Sequence, residues 1–351
     1  MVLSTRIKPT IEIGKLFNNR LENYAIIDVR SPSEYLNDNI VTSVNIPLLN
    51  DEERKIVGTI YKNDGPFKAK IKALNLIHTR LPEILENIIN QSKKEKELII
   101  YCARGGDRSE VIQTLLSLLQ IPSVKLHGGY KSYRKSICKF FDLFSLQCIT
   151  LYGPTGSGKT LILKNLNKEG YFTADLEGCA SHKGSSFGYI GEKNFSSITQ
   201  KKFESKIWYS LYQQNYPKMI FIEGESRRIG KVVIPTKVFF SMSTGIKIYL
   251  DMPLKNRVDF IIKEYKPHIY KNEIIKAFNC IEKYIGKTKS LNLLKLLNEN
   301  RFEEFAELIL KTYYDPLYNH SFPPHFDYKL TYNTIEEAVD KLKEIYEKLI
   351  K

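Results

Sequence analysis

The sequence predicts an α/β protein made of two parallel-sheet domains in tandem, the second with a helical C-terminal part. Three observations lead there. Short apolar runs alternate with helical patterns over about the first 140 residues. A fresh series of the same kind starts near Gln147, where a glycine-rich loop stands between a strand and a helix. From about residue 255 onward the spacing of apolar residues is helical. A chain of 351 residues also exceeds what one ordinary domain needs. The expected division is 1–140 and 147–351, with the helical region over about 255–351 and an aromatic-rich connector over Cys138 to Leu146.

In chain order, Ala25-Ile-Ile-Asp-Val29 and Leu98-Ile-Ile-Tyr101 read as buried strands. Glu110 to Gln120 places Val111, Ile112, Leu115, Leu116 and Leu119 at helical spacing and stops before Pro122. Gln147-Cys-Ile-Thr-Leu151, Lys218-Met-Ile-Phe-Ile222 and Ile246-Lys-Ile-Tyr-Leu250 are the strands of the second series. Thr334 to Lys351 carries Ile335, Val339, Leu342, Tyr346 and Leu349 on one helical face, and Thr334 with Glu337 forms a capping box.

Composition narrows the function classes. With 42% hydrophobic and 26% charged residues the chain has enough apolar material for packed cores, which excludes a disordered protein. No apolar stretch approaches the roughly 18 residues that span a bilayer, and Met1 to Thr10 has no apolar signal core. Cytoplasmic location without membrane association is therefore the expectation. Lys and Arg total 53 against 39 Asp and Glu, and a net charge of +14 favours polyanionic partners. The five cysteines, at 102, 138, 148, 179 and 280, are scattered without a Cys-x-x-Cys pair, so neither a disulfide framework nor a metal site is expected.

One cysteine is distinguished by its neighbours. Tyr101-Cys-Ala-Arg-Gly-Gly-Asp-Arg-Ser109 lies between a strand and a helix, where α/β proteins place their ligand sites. Gly105 and Gly106 let the backbone turn its N–H groups inward as an anion nest, and Arg104 and Arg108 add full charges. Such surroundings favour the thiolate of Cys102, the nucleophilic form. A structural cysteine beside an ordinary turn would need none of them.

These residues resemble the rhodanese domain. Asp28-Val-Arg-Ser-Pro-Ser-Glu-Tyr35 is similar to that family's early Asp-x-Arg motif, which puts Asp28 among the candidate catalytic residues, and the Cys102 loop is similar to its persulfide-carrying loop. Asn39-Ile-Val-Thr-Ser43 stands where the family usually has His-x-Pro-Gly-Ala. The Cys-x5-Arg spacing of Cys102 and Arg108 is that of rhodanese-like phosphatases, one residue longer than in simple sulfurtransferases. Sulfur or selenium transfer and phosphate-ester hydrolysis both stay open for this loop.

Gly153-Pro-Thr-Gly-Ser-Gly-Lys-Thr160 fits the Walker A pattern at every position, after a strand and before a helix. Its amides from Gly156 through Ser157 and Gly158 would wrap a diphosphate, Lys159 would bridge terminal oxygens, and Thr160 has room to hold a magnesium ion. The strand ending at Ile222 runs into Glu223-Gly-Glu225-Ser-Arg-Arg228, with Glu where a Walker B strand usually has Asp, which weakens the case for magnesium–ATP hydrolysis. Arg227 and Arg228 are candidate phosphate clamps. Asp175-Leu-Glu-Gly-Cys-Ala-Ser-His-Lys-Gly-Ser-Ser-Phe-Gly188 is dense in polar and glycine residues, and His182 near Asp175 and Glu177 is a candidate acid–base group.

Taken together, several segments resemble tRNA 2-selenouridine synthases. They are Asp28 to Tyr35, Asn45 to Leu49, Glu53 to Gly58, the Cys102 loop, Gly128-Gly-Tyr-Lys-Ser-Tyr-Arg134, the phosphate loop, Asp175 to Gly188, Glu223 to Gly230 and Tyr313 to Tyr318. The resemblance implies a reaction on wobble 2-thiouridine in the anticodon arm of tRNA. The sulfur is first alkylated from geranyl diphosphate, and selenium from selenophosphate then replaces the S-geranyl group. It implies tRNA as partner, an enzyme supplying selenophosphate as a second candidate partner, and no tightly bound cofactor. Lys131, Arg134 and Lys135 are candidate tRNA contacts. Two other readings remain: an ATP- or GTP-dependent kinase or ATPase with a regulatory rhodanese-like domain, and a non-catalytic RNA-binding or sulfur-carrier protein in which Cys102 relays sulfur to a partner.

Overall fold

The computed structural model describes residues 9–92, 96–192, 194–317 and 322–350. Contacts divide the chain into two compact units between Asp142 and Leu143.

In the first unit, strands β1 (Thr10–Ile11), β2 (Tyr24–Asp28), β3 (Val44–Asn45), β4 (Glu97–Tyr101) and β5 (Val124–Leu126) form one parallel sheet in the order β1-β5-β4-β2-β3. β4 lies at its centre, and Leu98, Ile99, Ile100 and Tyr101 are all buried, because a parallel strand covered on both faces is apolar throughout. The helix Asp107–Leu118 starts soon after β4, leaving Cys102 to Gly106 as the loop at the strand's carboxyl end.

Cys138 to Leu146 is not one connector, as the sequence had led us to expect. Tyr133, Ile137 and Phe141 bury one face at helical spacing, so the helix Gly129–Asp142 runs through the first half of that segment.

In the second unit, β6 (Gln147–Tyr152), β7 (Thr173–Ala174), β8 (Met219–Glu223), β11 (Ile246–Asp251) and β12 (Tyr328–Thr331) form a parallel sheet in the order β12-β11-β6-β8-β7. A small antiparallel pair, β9 (Arg228–Ile229) and β10 (Val232–Val233), stands apart from it. The central strand β6 delivers the phosphate loop at its carboxyl end. Ile162 and Leu163 of the helix Lys159–Lys168 share a core with Val339 and Leu342 of the helix Ile335–Leu349.

β12 corrects the expectation of an all-helical region after 255. Its short Tyr-Lys-Leu-Thr run pairs in register with β11 and extends the sheet by one edge. At the last helix Thr334 Oγ1 accepts from Glu337 N at 3.2 Å, and the Glu337 carboxylate accepts in return from the backbone N–H groups of Asn333, at 2.8 Å, and Thr334.

The helices Leu254–Tyr265, Pro267–Ile281, Lys287–Asn298 and Phe302–Ile309 build a separate apolar core around Phe278, Leu293, Leu297 and Phe302, which also takes in Phe187 and Ile190. Among the described residues no helix is long and apolar enough to cross a membrane.

Candidate functional site

The Cys102 loop is held from behind by a second glycine turn. Tyr130 and Lys131 donate their amides to the carbonyls of Cys102 and Ala103 at 2.9 and 3.0 Å. A Cβ on Gly129, at φ +55°, would fall onto the Cys102 carbonyl, so only glycine allows this approach. Gly105 has φ +68°, and a Cβ there would lie 2.9 Å from the Leu126 carbonyl oxygen. Among the described residues the amides of Ala103, Arg104, Gly105 and Gly106 donate no hydrogen bond, which leaves them open to an anion. Cys102 is buried, with Sγ 3.2 Å from Ser109 Oγ and 3.7 Å from the Gly106 carbonyl oxygen.

The structure places the two arginines differently. Arg104 is exposed at the loop tip. Arg108 turns to Glu34, donating at 2.6 and 3.3 Å, while Arg54 Nε donates to the same carboxylate at 2.8 Å. Burial alone would raise the Glu34 carboxyl; the Arg108 hydrogen bond and the charges of Arg108 and Arg54 more than reverse this and hold it down at about 2.

Asp28 is a tether, not a group facing the loop. It is fully buried, grips Arg30 through both carboxylate oxygens at 2.6–3.0 Å and accepts from Tyr101 Oη at 2.7 Å. Arg30 in turn lies 4.1 Å from the ring centre of Tyr130, whose hydroxyl donates to Asp38. The Asp-x-Arg motif thus fixes the two segments that frame the cysteine loop.

The phosphate loop shows the backbone its glycines were expected to supply. Gly156 and Gly158 have φ of +83° and +74°, with Cβ positions blocked by Ile261 and Ile335. Gly153 approaches the Leu250 carbonyl as closely. Lys159 Nζ donates to the Gly153 carbonyl at 3.2 Å, and Ser157 Oγ is buried without a partner among the described residues. Arg257, on the helix Leu254–Tyr265, donates to the Thr155 carbonyl at 3.2 Å and bidentately to Asp315 at 2.8 Å. Nothing local in the sequence marks Arg257, whereas Asp315 lies in the segment Tyr313 to Tyr318. Tyr318, at the end of that segment, is outside the described residues.

An acidic cluster adjoins the loop. Thr160 Oγ1 donates to Glu177 Oε2 at 2.7 Å, and Glu177 is hydrogen-bonded to Glu225. Burial and the neighbouring Glu177 push the Glu225 carboxyl up to about 8, with Lys159 opposing them. Gly184, at φ +69°, packs onto both carboxylates, since its Cβ would lie 2.5 Å from Glu177 and 2.8 Å from Glu225. Glu223 ends β8 fully buried; Oε2 accepts from Leu176 N at 2.8 Å and Oε1 has no partner among the described residues. Burial first, then Asp175 and Glu177, keeps its carboxyl well above the usual range.

His182 is not drawn to Asp175 or Glu177. Asp175 caps its own helix through Gly178 N at 2.6 Å, while the His182 ring packs against Phe195, Gly188 and Gly230. Its Nδ1 is buried without a partner among the described residues, and burial lowers its pKa. Arg227 and Arg228 are exposed beside the β9–β10 turn, and Arg228 bonds the Gly230 carbonyl. Lys131 and Lys135 are exposed one turn apart on the helix Gly129–Asp142, with Arg134 half-buried between them.

A cavity with an almost wholly apolar wall opens beside the phosphate loop. It holds about 530 Å³ of open space, part of it continuous with solvent. Thr155 of the loop and Ser185 of the polar segment line one side, and Ile261, Tyr265, Phe302 and Phe305 of the helical core line others. No local sequence signal announces it, because its wall is assembled from five separate stretches of chain.

Comparison with known proteins covers both units. Residues 146–348 match the family model described as the tRNA 2-selenouridine synthase AAA domain, and residues 15–136 match the rhodanese-like domain model. The chain is 29% identical over 357 residues to the tRNA 2-selenouridine synthase of Nitrosomonas europaea, covering 88% of this chain and 92% of that one. It is 31% identical over 333 residues to that of Hydrogenovibrio crunogenus, covering 86% and 90%. Against the Bdellovibrio bacteriovorus synthase the identity is 33% over 271 residues, covering 74% and 68%.

Proposed function

Because the chain belongs to the tRNA 2-selenouridine synthase family, we propose that it converts wobble 2-thiouridine in tRNA to 2-selenouridine through an S-geranyl intermediate. The observation that carries this reading is the apolar cavity beginning at Thr155 of the phosphate loop. A loop built for a diphosphate beside a slot built for hydrocarbon suits geranyl diphosphate better than a nucleotide, whose base and ribose need polar partners.

In the first step the thiouridine sulfur attacks C1 of geranyl diphosphate. The C1–O bond breaks, its electron pair leaves on the diphosphate, and N3 of the base gives up its proton. Lys159 and the amides from Gly156 to Thr160 stabilise the departing charge. Thr160 and Glu177 supply hard oxygen donors that would hold a magnesium ion, which would offset the charge of the leaving diphosphate.

In the second step selenophosphate occupies the open amides of the Cys102 loop. Joining selenide-level selenium to the thiolate as a perselenide would need a two-electron oxidant. Attack on phosphorus is redox-neutral: the S–P bond forms, P–Se breaks, and hydrogenselenide leaves to attack C2. Geranyl thiolate departs with the C2–S electron pair, N3 regains a proton, and water releases phosphate from Cys102. The +14 charge, with Lys131 and Lys135 exposed on one helix, suits contact with tRNA phosphates.

The test is nucleoside mass spectrometry on a 2-thiouridine anticodon stem-loop given geranyl diphosphate and then selenophosphate. The expected result is a geranyl mass shift followed by selenouridine. Lys159→Ala should lose the first step and Cys102→Ala only the second. Nucleotide hydrolysis with neither shift would put the kinase or ATPase reading first.

A further inference from the structure

The cavity has a direction, and two helices define it. Arg257 and Asp315 meet at Thr155, which puts the start of the helix Leu254–Tyr265 and the end of the segment Phe302–Tyr314 at the phosphate loop. At the other end His268, just beyond Tyr265, packs edge-on to Phe302 with ring centres 4.8 Å apart. The two segments are therefore antiparallel, and the thirteen residues from Tyr314 back to Phe302 span about 16–18 Å at helical rise. Phe302, Leu297 and Pro267 line the cavity at the end remote from the phosphate loop, and Phe302 and Leu297 are buried in the helical core.

We propose that this cavity is the hydrocarbon subsite for the prenyl tail, and that Phe302 is the wall setting the longest tail accepted. The inference rests on the reading of the phosphate loop as a prenyl diphosphate site. With the diphosphate on the loop amides, the tail has an apolar path away from water, along Ile261 and Tyr265 toward Phe302. A two-isoprene tail ends short of the ring. A third isoprene unit runs into it, and a close-packed core does not give way by that much. Ala306, one helical turn nearer the loop than Phe302, also lines the cavity.

The experiment pairs an opened and a shortened cavity in the full-length protein, with geranyl, farnesyl and dimethylallyl diphosphates offered to the 2-thiouridine stem-loop. Wild type should favour geranyl over farnesyl by at least about tenfold, and Phe302→Ala should bring that ratio near unity. Ala306→Leu should raise the KM for geranyl diphosphate about tenfold while leaving dimethylallyl transfer in place. The second variant carries the test if the first does not fold, as thermal melting will tell. Farnesyl still refused by a folded Phe302→Ala, or an unchanged geranyl KM in Ala306→Leu, overturns the wall and leaves the prenyl reading standing. A wild-type protein that transfers no prenyl group of any length overturns both.

Discussion

The hydroxyl of Thr160 donates to Glu177 Oε2 at 2.7 Å, joining the last residue of the phosphate loop to a carboxylate that itself shares a hydrogen bond with Glu225. Glu177→Ala should lower the alkylation rate about 10- to 100-fold, because Thr160 loses the partner that orients it. Glu177→Gln keeps an acceptor oxygen and should retain more activity than Ala. Selenation of a chemically prepared S-geranyl stem-loop, followed by mass spectrometry, should be unchanged in both. Equal alkylation by wild type and Glu177→Ala would reduce the contact to a structural one.

Glu225 makes stability depend on pH. Its carboxyl sits at about 8 in the folded protein against 4.5 ordinarily, so between those values the folded state holds a proton that the unfolded state has released. Stability contributed this way is present below pH 4.5 and is lost as pH rises through 8. Glu225→Gln should flatten that slope and be the more stable protein at pH 8 by roughly 1 kcal/mol, after discounting for solvent screening at this half-buried group. The single tryptophan, Trp208, is buried in the second unit and reports the unfolding by fluorescence. Parallel pH profiles for both proteins would contradict this.

Removing Asp315 should cost more than removing the whole pair. Arg257 is buried, and Asp315→Ala would leave its Nη1 with the Thr155 carbonyl and take away the carboxylate that Nη2 meets. A loss of about 1–3 kcal/mol is expected, with part recovered in the double variant Arg257→Met, Asp315→Leu. Urea unfolding of wild type, Asp315→Ala and the double variant gives the comparison. A double variant no better than Asp315→Ala would show that Arg257 holds the loop by its own bond to Thr155.

Gly129→Ala should silence the cysteine loop without touching the phosphate loop. The added methyl falls on the Cys102 carbonyl, and the residue is at φ +55°, so the backbone of both turns must move. Selenation should drop at least about tenfold, while geranyl transfer stays near wild type. A normal second step in this variant would mean that the loop tolerates a different shape.

Much of the molecule is legible in local spacing. β2, β4, β6, β8 and β11 each agree with an apolar run to within a residue or two, because strands covered on both faces carry that signature themselves. Gly105, Gly156 and Gly158 likewise stand where the chain takes positive φ, a demand each residue makes of its own backbone. β12 was hidden because four residues with two polar members are too few to outweigh the helical pattern around them.

The sequence alone therefore determined the two sheets, the two ligand loops and the candidate chemistry, all of which rest on neighbours a few residues apart. Tertiary structure decided the rest. Arg257 reaches Thr155 across 102 residues and Asp315 across 58, and Arg108 is turned to Glu34 across 74. The direction of the apolar cavity follows from an antiparallel packing of helices that no single segment encodes. Which charge meets which, and which apolar side chains enclose a cavity, depend on burial shared between distant elements, and that exists only once they have packed.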